Sequence, residues 1–157
     1  MQLEIDQDKA DATSRLTAIR AAVLMTRSME VWRRERLDPQ TVLIVLAVIA
    51  ITSEKLVRAG LEDEYRALDV YLPLDRLQGC NVASIAAATG LNRETVRRRV
   101  QALEEAGSLI RTDKGDIALP PQKVQEPSAL GLVRRQLEAI VRFANDCLRD
   151  GVLVARD

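Results

Sequence analysis

VASIAAATGLNRETVRRRVQ, residues 82–101, is the stretch that decides how this chain is read. Its first eight residues are small or apolar, its last nine carry four arginines, and Gly90 to Asn92 stand between them. Two short helices that cross at a steep angle need a small residue at the crossing, and Ala86 supplies one. Four positions later, Gly90 tolerates the positive φ that a tight turn demands. Ile85 and Leu91 plug the angle between the helices, and Val96 falls on the inner face of the second. Asn92 is a good N-cap for that second helix, with Glu94 favourable in its first turn.

The pattern continues beyond this stretch. Val96, Val100 and Leu103 recur at i, i+4 and i+7, and Gly107 ends the helix. "SLIR" (108–111) and "IAL" (117–119) then read as short strands around a tip at Asp113, Lys114, Gly115 and Asp116. This order of helix, turn, helix and hairpin resembles the DNA-binding core of bacterial winged helix-turn-helix transcriptional regulators. The spacing of Ala86, Gly90, Val96, Val100, Leu103 and Gly107 carries the resemblance. It covers residues 82–119 and a preceding helix, roughly a third of the chain, and points to a superfamily without a narrower family. The expected fold class is mainly α: a winged helix-turn-helix with a small β-hairpin wing, long N-terminal helices and a C-terminal helix.

The resemblance implies that the second helix enters the major groove of duplex DNA. At about 100° per residue, Glu94, Arg98, Gln101 and Glu105 lie opposite the buried stripe, and Thr95 and Arg97 flank that outer face. Glu94, Thr95, Arg98 and Gln101 are therefore the candidates for base edges, where Arg forks onto guanine and a carboxylate accepts from cytosine. Arg93, Arg97 and Arg99, with Arg111 and Lys114 of the wing, are the candidates for phosphates. Arg99 stands equally as a salt bridge to another helix. Residues 91–101 carry four positive charges against one negative.

The whole chain of 157 residues has 23 basic and 23 acidic residues and a pI near 6.4, so any attraction to nucleic acid has to come from a local patch. There is no histidine, which removes the commonest general base. Cys80 and Cys147 stand far apart without metal-ligand spacing and read as small buried side chains. No enzyme activity, catalytic residue, metal or cofactor is expected. The apolar run Val42–Ile51 is about half of the roughly 20 residues that a membrane span needs, so it reads as a core helix. Charged residues 33–36 precede it closely. The N-terminus is acidic and unlike a signal peptide. A cytoplasmic location with no membrane partner is expected.

Outside the central motif, residues 8–36 read as helix, with an apolar face of Leu16, Ile19, Val23, Met29 and Trp32. Asp38 and Pro39 open a second helix that runs to about Arg58, before Gly60. Leu61, Tyr65, Leu68 and Leu72 suggest a weaker helix ended by Pro73. The prolines of "PPQKVQEP" (120–127) argue for a linker without helix. Ser128 then caps a last helix with Leu130, Val133, Leu137, Ile140 or Val141, Ala144 and Leu148 along a narrow seam. The expected organisation is a helical region at 1–60 for core or dimerisation, whose second helix is open to serving as the first helix of the winged helix, the DNA-binding region at 61–120, the linker at 121–127 and the C-terminal helix at 128–157.

The function expected is a sequence-specific, double-stranded-DNA-binding transcriptional regulator. As a homodimer it would read an inverted repeat, with helix 92–106 in the major groove and wing 108–119 on the backbone. The alternative is a winged-helix adaptor whose Arg-rich helix docks an acidic protein. The outer helices either form the dimer interface or wrap a single monomer. Many such regulators respond to small-molecule effectors, but no residue pattern here identifies one.

Overall fold

The computed structural model describes residues 2–33 and 35–156. Arg34, counted above among the charges ahead of the apolar run, lies outside them. The described chain is mainly helical, with seven α-helices and two small two-stranded antiparallel sheets. It divides into two compact units: residues 1–36 with 131–157, and residues 37–130. The second helix falls in the same unit as the central motif.

The unit of residues 37–130 is built around helix α3, Pro39–Ala59, which follows β1, Gln2–Ile5, α1, Gln7–Ala12, and α2, Ser14–Arg33, along the chain. Asp38 caps α3 by accepting from the Gln40 and Thr41 amides at 3.1 and 3.3 Å, Pro39 takes the first turn, and Gly60 ends it. Val42, Ile44, Val45 and Val48 are buried, whereas Leu43, Leu46 and Ile49 keep about 40% of their surface, so the apolar run is not buried all round. Helix α4, Val82–Thr89, and helix α5, Arg93–Glu105, pack on it. Ile85, Val96 and Val100 are fully buried, and Ala86 and Leu103 nearly so. The hairpin of β2, Ile110–Arg111, and β3, Ile117–Ala118, pairs Ile110 with Ala118 and Arg111 with Ile117. The Ile117 amide also donates to the Cys80 carbonyl at 2.8 Å, and Gln78 N–H to the Thr52 carbonyl at 2.9 Å. The connector before α4 is thereby stitched to both the hairpin and α3.

Three sequence expectations fail in this unit. Residues 61–72 form no α-helix; only a 3₁₀ turn at Asp63–Tyr65 interrupts irregular chain, with another at Leu74–Arg76. Twelve residues confined between Gly60 and Pro73 recover too few hydrogen bonds to offset helix nucleation. Conversely, the proline-rich stretch contains a short helix, α6, Pro121–Val124. Pro121 sits at its first position, where a missing N–H costs nothing, and Pro127 likewise opens helix α7, Pro127–Arg149. Ser128 is therefore inside α7 rather than its cap, and its hydroxyl donates to Glu126 at 3.4 Å.

The unit of residues 1–36 and 131–157 pairs two long helices. The expected helix 8–36 breaks at Thr13 into α1, Gln7–Ala12, and α2, Ser14–Arg33. Helices α2 and α7 run antiparallel: Arg20 forks onto Asp150 at 2.6 and 3.2 Å and meets Asp146 at 2.8 Å, while Gln136 donates to the Ser28 carbonyl at 3.2 Å. The termini close the unit as a sheet that the sequence reading missed, β1, Gln2–Ile5, against β4, Leu153–Arg156, with Ile5 opposite Leu153. Buried residues are scarce here: none in α2 and only Cys147 in α7. The apolar stripes, Leu16, Ile19 and Val23 on α2 and Val133, Leu137, Ile140 and Leu148 on α7, are exposed in the single chain. Among the described residues no helix is long and apolar enough to cross a membrane.

Candidate nucleic-acid interface

The outer face of α5 is set by what its inner face must bury. Val96, Val100 and Leu103 turn inward, so Glu94, Arg97, Arg98 and Gln101 are left exposed by the helical repeat. The turn ahead of α5 is tight. Gly90 adopts φ +72° and its amide donates to the Ala86 carbonyl at 2.9 Å. Asn92 then caps α5 by accepting from the Glu94 amide at 2.8 Å. Helix α4 has a cap the sequence reading overlooked: Asn81 accepts from the Ser84 amide while Ser84 Oγ accepts from the Asn81 amide, both at 3.0 Å. The signal was legible, since Asn-x-x-Ser precedes the helix with the spacing of a reciprocal cap.

The arginines of α5 differ sharply in their surroundings. Arg97 lies across the helix surface on Glu94, with two parallel bonds of 3.0 and 2.7 Å. The hydrogen bond and the charge of each partner favour the ionised form of the other, lowering the Glu94 pKa and raising that of Arg97. Arg99 reaches back to the start of α3 and donates to Asp38 at 2.7 Å, Thr41 at 2.9 Å and Gln40 at 2.8 Å. Of the two roles left open for Arg99, the structure displays the salt bridge to another helix. The Asp38 carboxyl is held below its ordinary range, first by the Thr41 hydroxyl and also by Arg99. Arg93 and Arg98 have no ion pair among the described residues.

Elsewhere in the predicted set, Thr95 is half-buried and Gln101 donates to Glu105 at 3.1 Å. In the hairpin, Arg111 donates to Glu104 at 2.6 Å and to the Gly115 carbonyl at 3.1 Å, so it fastens the hairpin to the end of α5. Lys114 stands exposed at the tip, without an ion pair among the described residues. The tip itself closes with Thr112 N–H on the Asp116 carbonyl at 2.8 Å and Gly115 at φ +82°. The exposed cations of α5 without an ion pair among the described residues are thus Arg98 on the outer face and Arg93 in the first turn, nearer the buried edge, with Arg97 paired to its neighbour.

No cluster of three or more potential metal ligands occurs among the described residues. Cys80 and Cys147 are both buried and unpaired by disulfide, and burial above all pushes their thiols up from the ordinary value, away from the reactive thiolate. A shallow cleft of about 180 Å³ between α2 and α7 is lined by Arg27, Glu30, Val31, Arg135, Glu138 and Arg142 among others. Comparisons with protein-family models, with curated proteins and with solved structures returned no match to this chain.

Proposed function

We propose that the chain is a winged helix-turn-helix regulator of transcription that binds duplex DNA with α5 in the major groove and the 110–118 hairpin on the backbone. The observation that carries the reading is the pairing of a closely buried inner face on α5 with an outer face that presents Arg98 and a first turn that presents Arg93, neither with an ion pair among the described residues. The short turn at Gly90 and the stitched hairpin support it by giving the order and tightness that such a domain needs. Arg98 forks onto a base edge, and Arg93 and Lys114 meet phosphates. Arg99 and Arg111 hold protein partners and belong to the scaffold of the site.

A single such domain covers few base pairs, so the proposal includes a two-fold homodimer on an inverted repeat. Its support lies in α7, where Leu130, Val133, Leu137, Ile140, Val141 and, two turns further on, Leu148 share one face and remain exposed, Leu137 by 56%. A stripe of this kind is what a helix presents to another helix. Selection of bound duplexes from a random pool tests the function: a recovered sequence with two-fold symmetry supports it, and recovery without any preferred sequence contradicts it.

A further inference from the structure

We propose that Glu94 sets the specificity of this interface by restraining Arg97. The inference rests on the DNA-binding reading and deepens it. The two side chains are exposed by 69 and 62%, so no burial holds them, and they meet in a bidentate pair on the first turns of α5, with the Arg98 charge also acting on Glu94. An exposed pair three residues apart is weak. Phosphate can break it, yet on unselected DNA the carboxylate offsets part of any gain, because it competes for the guanidinium and itself repels the backbone. A carboxylate has no donor, so in the major groove it gains only where a base offers one, above all the cytosine amino group. At such a base pair Glu94 turns to the base and Arg97 is released to the neighbouring phosphate. The pair therefore weakens binding to arbitrary duplexes and not to those with a cytosine at one position.

The test compares wild type, Glu94→Gln, Arg97→Ala and the double variant on random duplex DNA and on a duplex selected by the wild type, across a salt series. Both positions are exposed, so the variants keep the fold. Glu94→Gln is expected to bind random duplex more tightly and to lose about threefold more affinity than wild type between 50 and 200 mM salt, the signature of one added phosphate contact. On the selected duplex it gains less or loses, so the specificity ratio falls. In the Arg97→Ala background the same substitution steepens the salt dependence by less than half as much. If Glu94→Gln leaves random-duplex binding unchanged, or acts equally with and without Arg97, the inference is overturned while the DNA-binding function stands. Absence of binding by the wild type at low salt overturns the function itself.

Discussion

Asp38 and Arg99 illustrate why a single residue type cannot be assigned its job from composition. Asp38 caps α3, and it also receives the guanidinium that α5 sends inward, 61 positions away in the chain. Arg99 is consequently a positioning residue. Arg99→Ala is expected to lower stability by about 1 kcal/mol, a charge-assisted bond discounted for its exposure. It should leave the salt dependence of DNA binding unchanged, which thermal unfolding and a binding titration check together. The pH dependence follows from Asp38. Its folded pKa lies below the unfolded value of about 3.8, so its contribution is complete above that value and is lost as pH falls through the folded pKa. Asp38→Asn should flatten the fall in melting temperature between pH 5 and 3.

At the scale of elements, α3, α4 and α5 were legible because their signals are local. Asp38-Pro39, Asn92 and Gly90 mark ends, and Val96, Val100 and Leu103 mark a face. Gly90 has open space around its missing Cβ, so Gly90→Ala costs only the left-handed backbone, about 1–2 kcal/mol in denaturant unfolding. Ile85→Ala removes a fully buried side chain at the crossing and should cost more, about 2–5 kcal/mol. The reverse order of these two effects would contradict the packing described. Other elements were not legible. The β1–β4 pair joins residues some 150 apart, and no local pattern announces such a partner. The turns at 61–76 had a helical repeat but lacked the length to use it, and the prolines at 121 and 127 begin helices rather than prevent them. Which arginines stay free of a carboxylate was legible only in part, because the helical repeat placed Arg97 and Arg99, and the hairpin pattern Arg111, without revealing their partners.

For the whole molecule, two units with different economies of burial share one chain. Residues 37–130 enclose a continuous aliphatic core, whereas residues 1–36 and 131–157 leave long apolar stripes uncovered. The second arrangement is what a subunit of an assembly presents before its partner is in place. Replacing Leu137 and Ile140 together by Glu puts two charges on the α7 stripe without touching a buried position. Sedimentation should then show a dimer for the wild type and a monomer for the variant, and a monomeric wild type would contradict the dimer. The variant should also bind a symmetric duplex more weakly than the wild type, since each half-site would be held alone.

The central claim is that Arg98 on the outer face of α5 and Arg93 in its first turn meet DNA. The most direct measurement is fluorescence anisotropy of labelled duplex DNA titrated with wild type and with Arg93→Ala/Arg98→Ala from 50 to 200 mM salt. The account predicts salt-dependent binding by the wild type, and a variant with lower affinity whose salt slope is shallower by one to two ion equivalents. Equal affinity and equal slope for the two proteins would contradict it.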